Sequence, residues 1–397
     1  MSAGRGGRDP VASFEALLRP PGRDLLEHLK QVDFTPDRAL RLGTGLRAHY
    51  PPDLVASALA QHELRLRAGA KFSRAMDMFF TRPGLEQASS ELVGQHRRQR
   101  YACSAPVADL CCGIGGDLVS LAEGRGVVAI DRDRLHLRIA RANAGVYGVA
   151  ANVSLVQGDV REVGVRGLAA VFIDPARRTD RRRLRPGDSE PPLAWCLGLA
   201  EREGRVGIKA APGLAREAVP PGWELEFIAV GRDLKEAAVW SPALATATTR
   251  ATILPGGHTL TPGSGEPVPV RLPGAFLLDP NPAVTRAGAV EDLARTLAAW
   301  KIDDRIAFLS MDTEVHAPFA RTLRVIDSAP WRQRELPARL RALDIGAVDI
   351  RRRGLAGDVA DLHRHLKLSG SRQATLVMTR VQGRPWGLIC LDAGTGE

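Results

Sequence analysis

The chain has 397 residues, of which 44% are hydrophobic, and its 55 Lys and Arg residues exceed its 45 Asp and Glu residues by ten charges. This length suits two or three domains, and the hydrophobic content is sufficient for full cores, which excludes a globally disordered chain. No apolar run approaches the roughly 20 residues that span a bilayer, and the amino-terminal MSAGRGGRDP lacks the apolar segment of a secretory signal.

The first 105 residues are predicted to be helical. Apolar side chains recur with helical periodicity in three stretches, and prolines separate these stretches. They are Phe14–Leu29, Asp53–Leu66 and Gly84–Val93. We therefore expect an amino-terminal helical domain over residues 1–105.

From residue 106 onward, short β-branched runs alternate with helical patterns. Such alternation predicts a doubly wound parallel sheet, a Rossmann-like α/β fold. The runs are Val107–Leu110, Val127–Ile130, Val153–Val156, Ala169–Ile173 and Arg205–Lys209. Two later runs, Glu224–Val230 and Thr249–Leu254, are expected to close the sheet as an antiparallel pair, so that this domain covers residues 106–255.

The remainder of the chain is predicted to form a second α/β unit. Residues 256–274 are rich in Pro and Gly and are expected to form a linker or hairpin. Beyond them, a helical pattern at Ala287–Leu297 and strand patterns near Arg305–Leu309 and Arg324–Asp327 predict an α+β domain over residues 275–397.

The loop after the first predicted strand carries the clearest functional signal, in VADLCCGIGGDLVSLA (Val107–Ala122). A dinucleotide fingerprint requires G-x-G-x-x-G, but Leu118 stands at the third glycine position, which argues against a dehydrogenase. Asp109 instead makes the pattern D-x-x-x-G-x-G with Gly113 and Gly115. This pattern resembles motif I of class I S-adenosylmethionine (SAM) methyltransferases.

That resemblance implies a set of SAM-binding positions. Asp109 would either order the glycine loop or meet the methionine amino group, and the backbone of Gly113, Ile114 and Gly115 would approach the cofactor. Asp131, which ends the second strand, would bind the ribose hydroxyls. Asp159 and the backbone amide of Val160, after the third strand, would hold the adenine.

The fourth strand ends in the tetrad Asp174-Pro175-Ala176-Arg177. N-methyltransferases that act on exocyclic amines carry [DN]-P-P-[YFW] here, where the first side-chain oxygen and the proline carbonyl accept the two amine hydrogens. This chain keeps both acceptors but lacks the aromatic ring, and Arg177 could stack on a base or bind phosphate instead. Lys209, which ends the fifth strand, could anchor Asp174 or touch the substrate.

Larger resemblances cover most of the chain from residue 71. The methyltransferase region resembles the RNA cap guanine-N2 methyltransferases, which include trimethylguanosine synthase, and matches them at Asp109, Cys112, Gly113, Gly115, Gly116, Asp131, Asn143, Tyr147 and Gly148. The upstream segment Lys71–Glu91 is similar to a segment of that family near the cofactor, which implicates Thr81. The carboxyl-terminal third resembles THUMP-like domains through Leu277–Val290, Ile350–Val359 and Leu362–Gly383, which implies RNA recognition.

The predicted substrate is therefore structured RNA, of ribosomal or transfer type, in the cytoplasm. Basic segments support it: the arginine loop Arg177–Arg185, the segment His96–Arg100, and Arg351–Arg353 with Lys367. Net charge alone permits RNA without arguing for it, because charge is spread along the chain and only six of the 55 basic residues are lysines.

Three alternatives to this interpretation follow from the same residues. Methylation of a small molecule or a protein, and RNA binding without catalysis, both remain open. Carbon-5 pyrimidine methylation requires a nucleophilic cysteine, but Cys196 lies in an apolar helical pattern where a core position is expected. The five cysteines form no C-x-x-C pair, so we expect neither a metal site nor a disulfide framework.

Overall fold

The computed structural model describes residues 9–33, 35–101, 106–165, 167–176, 178–179, 182–183, 189–356, 358–366 and 368–393. The chain forms two compact units. The first contains the residues up to Trp223 together with Ala238–Ala245, and the second contains Glu224–Ala237 and the residues from Thr246 onward. In the described residues no helix combines the length and the apolar character needed to cross a membrane.

In the described residues, six helices precede the first strand, in agreement with the predicted helical region. They are α1 (Pro10–Leu17), α2 (Gly22–Lys30), α3 (Pro36–Leu46), α4 (Pro52–Ala68), α5 (Arg82–Gln87) and α6 (Glu91–Gln99). Their buried side chains, among them Leu25, Val55 and Leu85, form one apolar cluster with Ile114 and Ile139. Because Ile114 lies in the glycine loop, the packing of these helices bears directly on the shape of that loop.

The first unit contains the predicted parallel sheet. Its strands are β1 (Val107–Leu110), β2 (Val127–Asp131), β3 (Val153–Gln157), β4 (Ala170–Ile173) and β7 (Val206–Ala210), after the short pair β5 (Arg178–Thr179) and β6 (Arg182–Arg183). The order β3-β2-β1-β4-β7 and the parallel pairings confirm the doubly wound fold. Its helices are α7 (Leu118–Leu121), α8 (Arg134–Val146), α9 (Leu193–Gly198) and α10 (Ala200–Glu203).

The predicted closing pair of strands is wrong. The next strands are β8 (Glu224–Val230), β9 (Asp233–Trp240), β10 (Thr249–Leu254) and β11 (His258–Leu260), and β8 pairs with β10 in parallel. The sequence concealed β9 because charged residues at its start, Asp233, Lys235 and Glu236, precede the buried run Ala237–Trp240. The predicted hairpin is present, since β11 pairs antiparallel with β10.

The rest of the second unit is built on a mixed seven-stranded sheet. Its order is β13-β14-β12-β15-β18-β17-β16. The strands are β12 (Phe276–Pro280), β13 (Trp300–Lys301), β14 (Leu309–Met311), β15 (Ala320–Pro330), β16 (Ile345–Arg352), β17 (Arg372–Val381) and β18 (Arg384–Asp392), and the helices are α11 (Pro282–Ala287), α12 (Val290–Leu297), α13 (Leu336–Ala342) and α14 (Val359–His365). The predicted helix Ala287–Leu297 begins later, at Val290, because Gly288 ends α11 with a left-handed backbone.

Candidate active site

A cavity of about 630 Å³ lies in the first unit where β1, β2, β3 and β4 end. Ligands of doubly wound sheets bind at this edge because the loops that follow the strands diverge there. Of the predicted site residues, those that line the cavity are Thr81, Asp109, Gly113, Ile114, Asp131, Asp159, Val160 and Asp174. Gly115 and Pro175 do not line it, and Arg177 is outside the described residues.

The glycine loop, Cys111–Asp117, turns sharply beneath this cavity. Gly113 and Gly115 both have left-handed backbones, with φ of 53° and 85°. The space beside Gly113 is open, whereas a side chain on Gly115 would meet Ala140 of α8 at 3.3 Å. Gly113 therefore leaves room for a ligand, and Gly115 allows the loop to approach α8.

Asp131 holds the glycine loop in place. Its Oδ2 accepts a hydrogen bond from the Gly113 amide at 2.8 Å, and its Oδ1 accepts one from the Asp133 amide at 2.9 Å. Each carboxylate oxygen can accept a second bond. Asp131 can thus receive the two hydroxyls of a ribose while it continues to order the loop.

Asp109 has a different environment. Its side chain is 1% exposed, and within the described residues neither carboxylate oxygen has a hydrogen-bond partner. Burial, together with the nearby charges of Asp174 and Asp131, raises the pKa of Asp109 to about 8, although Arg97 and Lys209 oppose that shift. Within the described part of the chain, Asp109 therefore makes no hydrogen bond to the glycine loop. A buried carboxylate without partners fits a cationic donor such as the methionine ammonium of SAM.

Asp159 is paired with a neighbouring arginine. Arg161 donates to it from Nε at 2.9 Å and from its own backbone amide at 2.9 Å, and a third bond comes from Nη2. These bonds lower the pKa of Asp159 to about 2. A carboxylate has about four acceptor positions, so one remains for an adenine amine. Arg161 also pairs at 2.9 Å with Glu190, which lines the cavity as well.

The upstream segment forms the wall of the cavity opposite the strand ends. Thr81 caps α5 by accepting from the Gly84 amide at 3.0 Å, and Gly84 packs so closely on Ile114 that a side chain there would approach it to 2.5 Å. Asn143 exchanges two hydrogen bonds with the backbone of Phe79, at 2.8 and 3.0 Å, and donates a third to the Ile114 carbonyl at 2.9 Å. Asn143 thus joins this wall to the glycine loop.

Gln61 and Arg65 of α4 support the same wall and escaped sequence analysis. Gln61 exchanges two hydrogen bonds with the backbone of Phe80, at 2.9 and 2.8 Å, and Arg65 donates to the Met78 carbonyl at 2.8 Å. Both side chains are buried. Their only signal in the sequence is a polar residue within an apolar helical pattern, which does not identify a partner.

At the far end of the cavity Lys209 anchors Asp174. Lys209 Nζ donates to Asp174 Oδ2 at 2.7 Å and to the Gln87 carbonyl at 2.9 Å, which decides between the two roles considered for this lysine. Ala176 and Glu190 exchange two backbone hydrogen bonds of 2.9 Å, so the chain leaves and re-enters the cavity wall at adjacent points. The arginine loop connects these points; its side chains are outside the described residues.

The arginines of the basic segment His96–Arg100 are engaged in contacts within the first unit. Arg97 is fully buried, pairs with Asp117 and lies 4.4 Å over the Phe172 ring. Arg98 pairs with Glu123 at 3.0 Å, and Arg100 donates to the Leu244 carbonyl at 3.0 Å. These arginines serve intramolecular packing because the helix that carries them faces the sheet, a feature that a charge count cannot detect.

Two further expectations concern cysteines and metals. Cys196 is fully buried, and burial raises the pKa of its thiol to about 12, as expected of a core cysteine. A thiol of that pKa is a poor nucleophile near neutral pH. Within the described residues, no group of His, Cys, Asp and Glu side chains could hold a metal ion.

Comparisons with known proteins agree with this geometry. Residues 105–184 match the family model of the RNA cap guanine-N2 methyltransferases, residues 320–391 match the THUMP domain-like model, and residues 9–68 match a domain of unknown function. Uncharacterised SAM-dependent methyltransferases of Mycobacterium tuberculosis strains CDC 1551 and H37Rv are each 36% identical over 332 residues, which cover 80% of this chain and 90% of theirs. A crystal structure described as a methyltransferase of Porphyromonas gingivalis W83 superposes with a TM-score of 0.75 at 21% identity, covering 93% of this chain and 98% of that one.

Proposed function

This chain belongs to the SAM-dependent methyltransferases, and on that premise we propose that it methylates an exocyclic amine of a nucleobase in structured RNA. The acceptor would be a ribosomal or transfer RNA in the cytoplasm. SAM supplies an electrophilic methyl group. In our assignment Asp109 holds its ammonium, Asp131 its ribose and Asp159 its adenine.

The acceptor end of the cavity carries the amine assignment. Asp174 lines the cavity with a carboxylate of which one oxygen, Oδ2, is bonded to Lys209. Within the described residues the other oxygen, Oδ1, has no donor, so it can accept one hydrogen of a substrate amine. Pro175 does not line the cavity, but it lies between Asp174 and Ala176, which do, and we assign the second hydrogen to its carbonyl. Two acceptors in fixed positions would direct the nitrogen lone pair at the methyl group, so that positioning supplies the catalysis.

The RNA assignment is supported by the position of the arginine loop. The hydrogen bonds between Ala176 and Glu190 bring both ends of that loop to the cavity that holds Asp174. Guanidinium groups there could neutralise phosphates next to the reacting base, and Arg177 could stack on it. The matches to an RNA methyltransferase family and to a THUMP-like family support the same substrate class.

Nucleoside mass spectrometry tests this proposal. RNA from a strain without the gene should lack one N-methylated nucleoside, and the wild-type gene should restore it. A gene encoding Asp174→Ala should not restore it, because that variant loses the amine acceptor, while calorimetry should find SAM affinity within about threefold of wild type because Asp174 does not orient the cofactor. Unchanged RNA nucleosides would favour a protein or small-molecule acceptor, and full restoration by Asp174→Ala would refute the amine-orienting role.

A further inference from the structure

Lys209 is an ionisable side chain buried directly behind the acceptor end of the cavity. It lies on β7, is 4% exposed and does not line the cavity itself. Its ammonium group donates one hydrogen bond to Oδ2 of Asp174, at the end of β4, and another to the backbone carbonyl of Gln87, in the upstream segment. Its neighbour Asp174 is the residue that does line the cavity, so Lys209 can reach the substrate only through Asp174.

The chemistry of the ammonium group determines which atom of residue 174 faces the substrate. An ammonium has three donors and no acceptor, so its partner must be an oxygen. With aspartate at position 174 this requirement is harmless, because the second carboxylate oxygen still presents an acceptor to the cavity. An asparagine in the same rotamer would give its only oxygen to Lys209 and turn its NH2 donor toward the substrate.

We propose that Lys209 is a positioning residue that fixes the hydrogen-bond polarity of residue 174, so that an acceptor always faces the substrate amine. This inference rests on the proposed amine acceptor. It also gives a reason for aspartate at a position where the amine-methyltransferase pattern allows either aspartate or asparagine. Here only aspartate satisfies the lysine and the amine together.

A double-mutant cycle tests this role through methyl transfer from labelled SAM to RNA of the deletion strain. Lys209→Met should reduce kcat about 10-fold and Asp174→Asn about 100-fold, as expected when an orienting contact is loosened or reversed. The double variant should be at least about 10-fold faster than Asp174→Asn, because without the ammonium the asparagine can turn its oxygen toward the amine. A role in folding alone predicts the opposite, since a second lesion would only add to the first.

Controls separate polarity from charge and from folding. Lys209→Arg retains a group that only donates hydrogen bonds, so it should not rescue Asp174→Asn. Lys235→Met removes a surface lysine paired with Asp233, and it should change kcat neither in the wild-type enzyme nor in the Asp174→Asn variant. Thermal unfolding and SAM affinity are measured for every variant. If Lys209→Met does not fold, Lys209→Gln replaces it in the cycle, because glutamine offers an acceptor as well as a donor.

Two results would overturn the inference: a double variant no faster than Asp174→Asn, or a Lys209→Met enzyme as fast as wild type. Failure of the RNA proposal is seen separately. If wild-type enzyme does not label RNA, the cycle is run on whichever protein or small-molecule fraction of the same extract accepts the label. If the double variant is again faster than Asp174→Asn in that assay, Lys209 keeps the proposed positioning role with a different amine as the substrate.

Discussion

Three aspartates of the cavity differ because their partners differ. Backbone amides bond to Asp131, Arg161 bonds to Asp159, and Asp109 is buried without a hydrogen-bond partner in the described residues. The same side chain can therefore order a loop, stay ionised in acid, or hold a proton near neutral pH. The burial of Asp109 costs folding free energy when the carboxylate is charged, which is the property expected of a group that binds a cationic ligand.

Asp109 should make the ligand-free protein less stable as the pH rises. Between the unfolded-state pKa of 3.8 and about 8, the folded protein keeps a proton on Asp109 that the unfolded chain has released. The stability associated with the protonated side chain is complete below that window and is lost as the pH rises through it. Asp109→Asn removes this titration. Between pH 5 and pH 8, the free energy of unfolding of the variant should therefore rise relative to that of wild type by on the order of a few kcal/mol.

Urea unfolding of both proteins at pH 5, 6.5 and 8 measures this effect. The difference between the two proteins isolates Asp109, because the other titrating groups are common to both. If the free energies of unfolding of the two proteins differ by the same amount at all three pH values, Asp109 ionises with the ordinary pKa of an aspartate. The same variant should bind SAM more weakly, which distinguishes a stabilised protein from an improved enzyme.

At the scale of elements, the cofactor cavity depends on a segment without regular structure. Met78–Phe80 lies in an extended stretch, and side chains from α4 and α8 bond to its backbone. Because an extended segment has no hydrogen bonds of its own, buried side chains must satisfy its polar groups. Helix α4 thereby supports the wall of the cavity although none of its own residues lines the cavity.

Asn143 and Gln61 provide a matched pair that tests this support. Both exchange two hydrogen bonds with the backbone of the segment, but only Asn143 also donates to Ile114 in the glycine loop. Asn143→Asp should weaken SAM binding at least about 10-fold, because a carboxylate would face the Ile114 carbonyl. Gln61→Glu should weaken it less than about threefold, although both variants should lower the melting temperature.

Calorimetry with SAM and thermal unfolding of the two variants provide the comparison. At saturating SAM, kcat of Asn143→Asp should approach the wild-type value, since the acceptor end of the cavity is intact. Equal losses of SAM affinity in the two variants would mean that general destabilisation, and not the link to the glycine loop, controls the cavity.

At the scale of the whole molecule, the positive net charge is a poor guide to where an RNA substrate would bind. Several arginines that sequence analysis assigned to basic segments are engaged within their own unit. Arg97 is buried against Asp117, and in the second unit Arg351 pairs with Asp349 and Arg353 with Asp279. The arginine loop at the cavity mouth is therefore the segment from which we expect phosphate contacts.

Replacing Arg181, Arg182 and Arg183 together with Ser should weaken RNA binding across sequences. The logarithm of the binding constant falls linearly with the logarithm of the salt concentration, and each lost phosphate contact should make that slope about 0.7–0.9 less steep. A charge-matched control replaces Arg38, Arg67 and Arg332, exposed arginines that pair with Asp33, Glu63 and Glu335. Filter binding over a salt series should find the wild-type slope in the control, and equal slopes in both triple variants would assign the effect to net charge alone.

Much of the fold was determined by the sequence because its signals are local. The alternation of β-branched and helical patterns predicted β1, β2, β3, β4 and β7 and their parallel pairing. Strand β9 was missed because three of its first four residues are charged. The pairing of β8 with β10 depends on which strands meet after the chain has folded. Aspartates at strand ends could be predicted as a group, since parallel strands all end at one edge of the sheet.

The chemical state of each aspartate, by contrast, was decided only by tertiary structure. The Lys209 bonds to Asp174 and Gln87 span 35 and 122 residues, and the Asn143 bonds to Phe79 span 64. The burial of Arg97 and of Asp109 likewise follows from packing between distant segments. Sequence periodicity reports which face of an element is buried, but it does not report what that face meets, and a side chain's protonation, orientation and availability depend on those contacts.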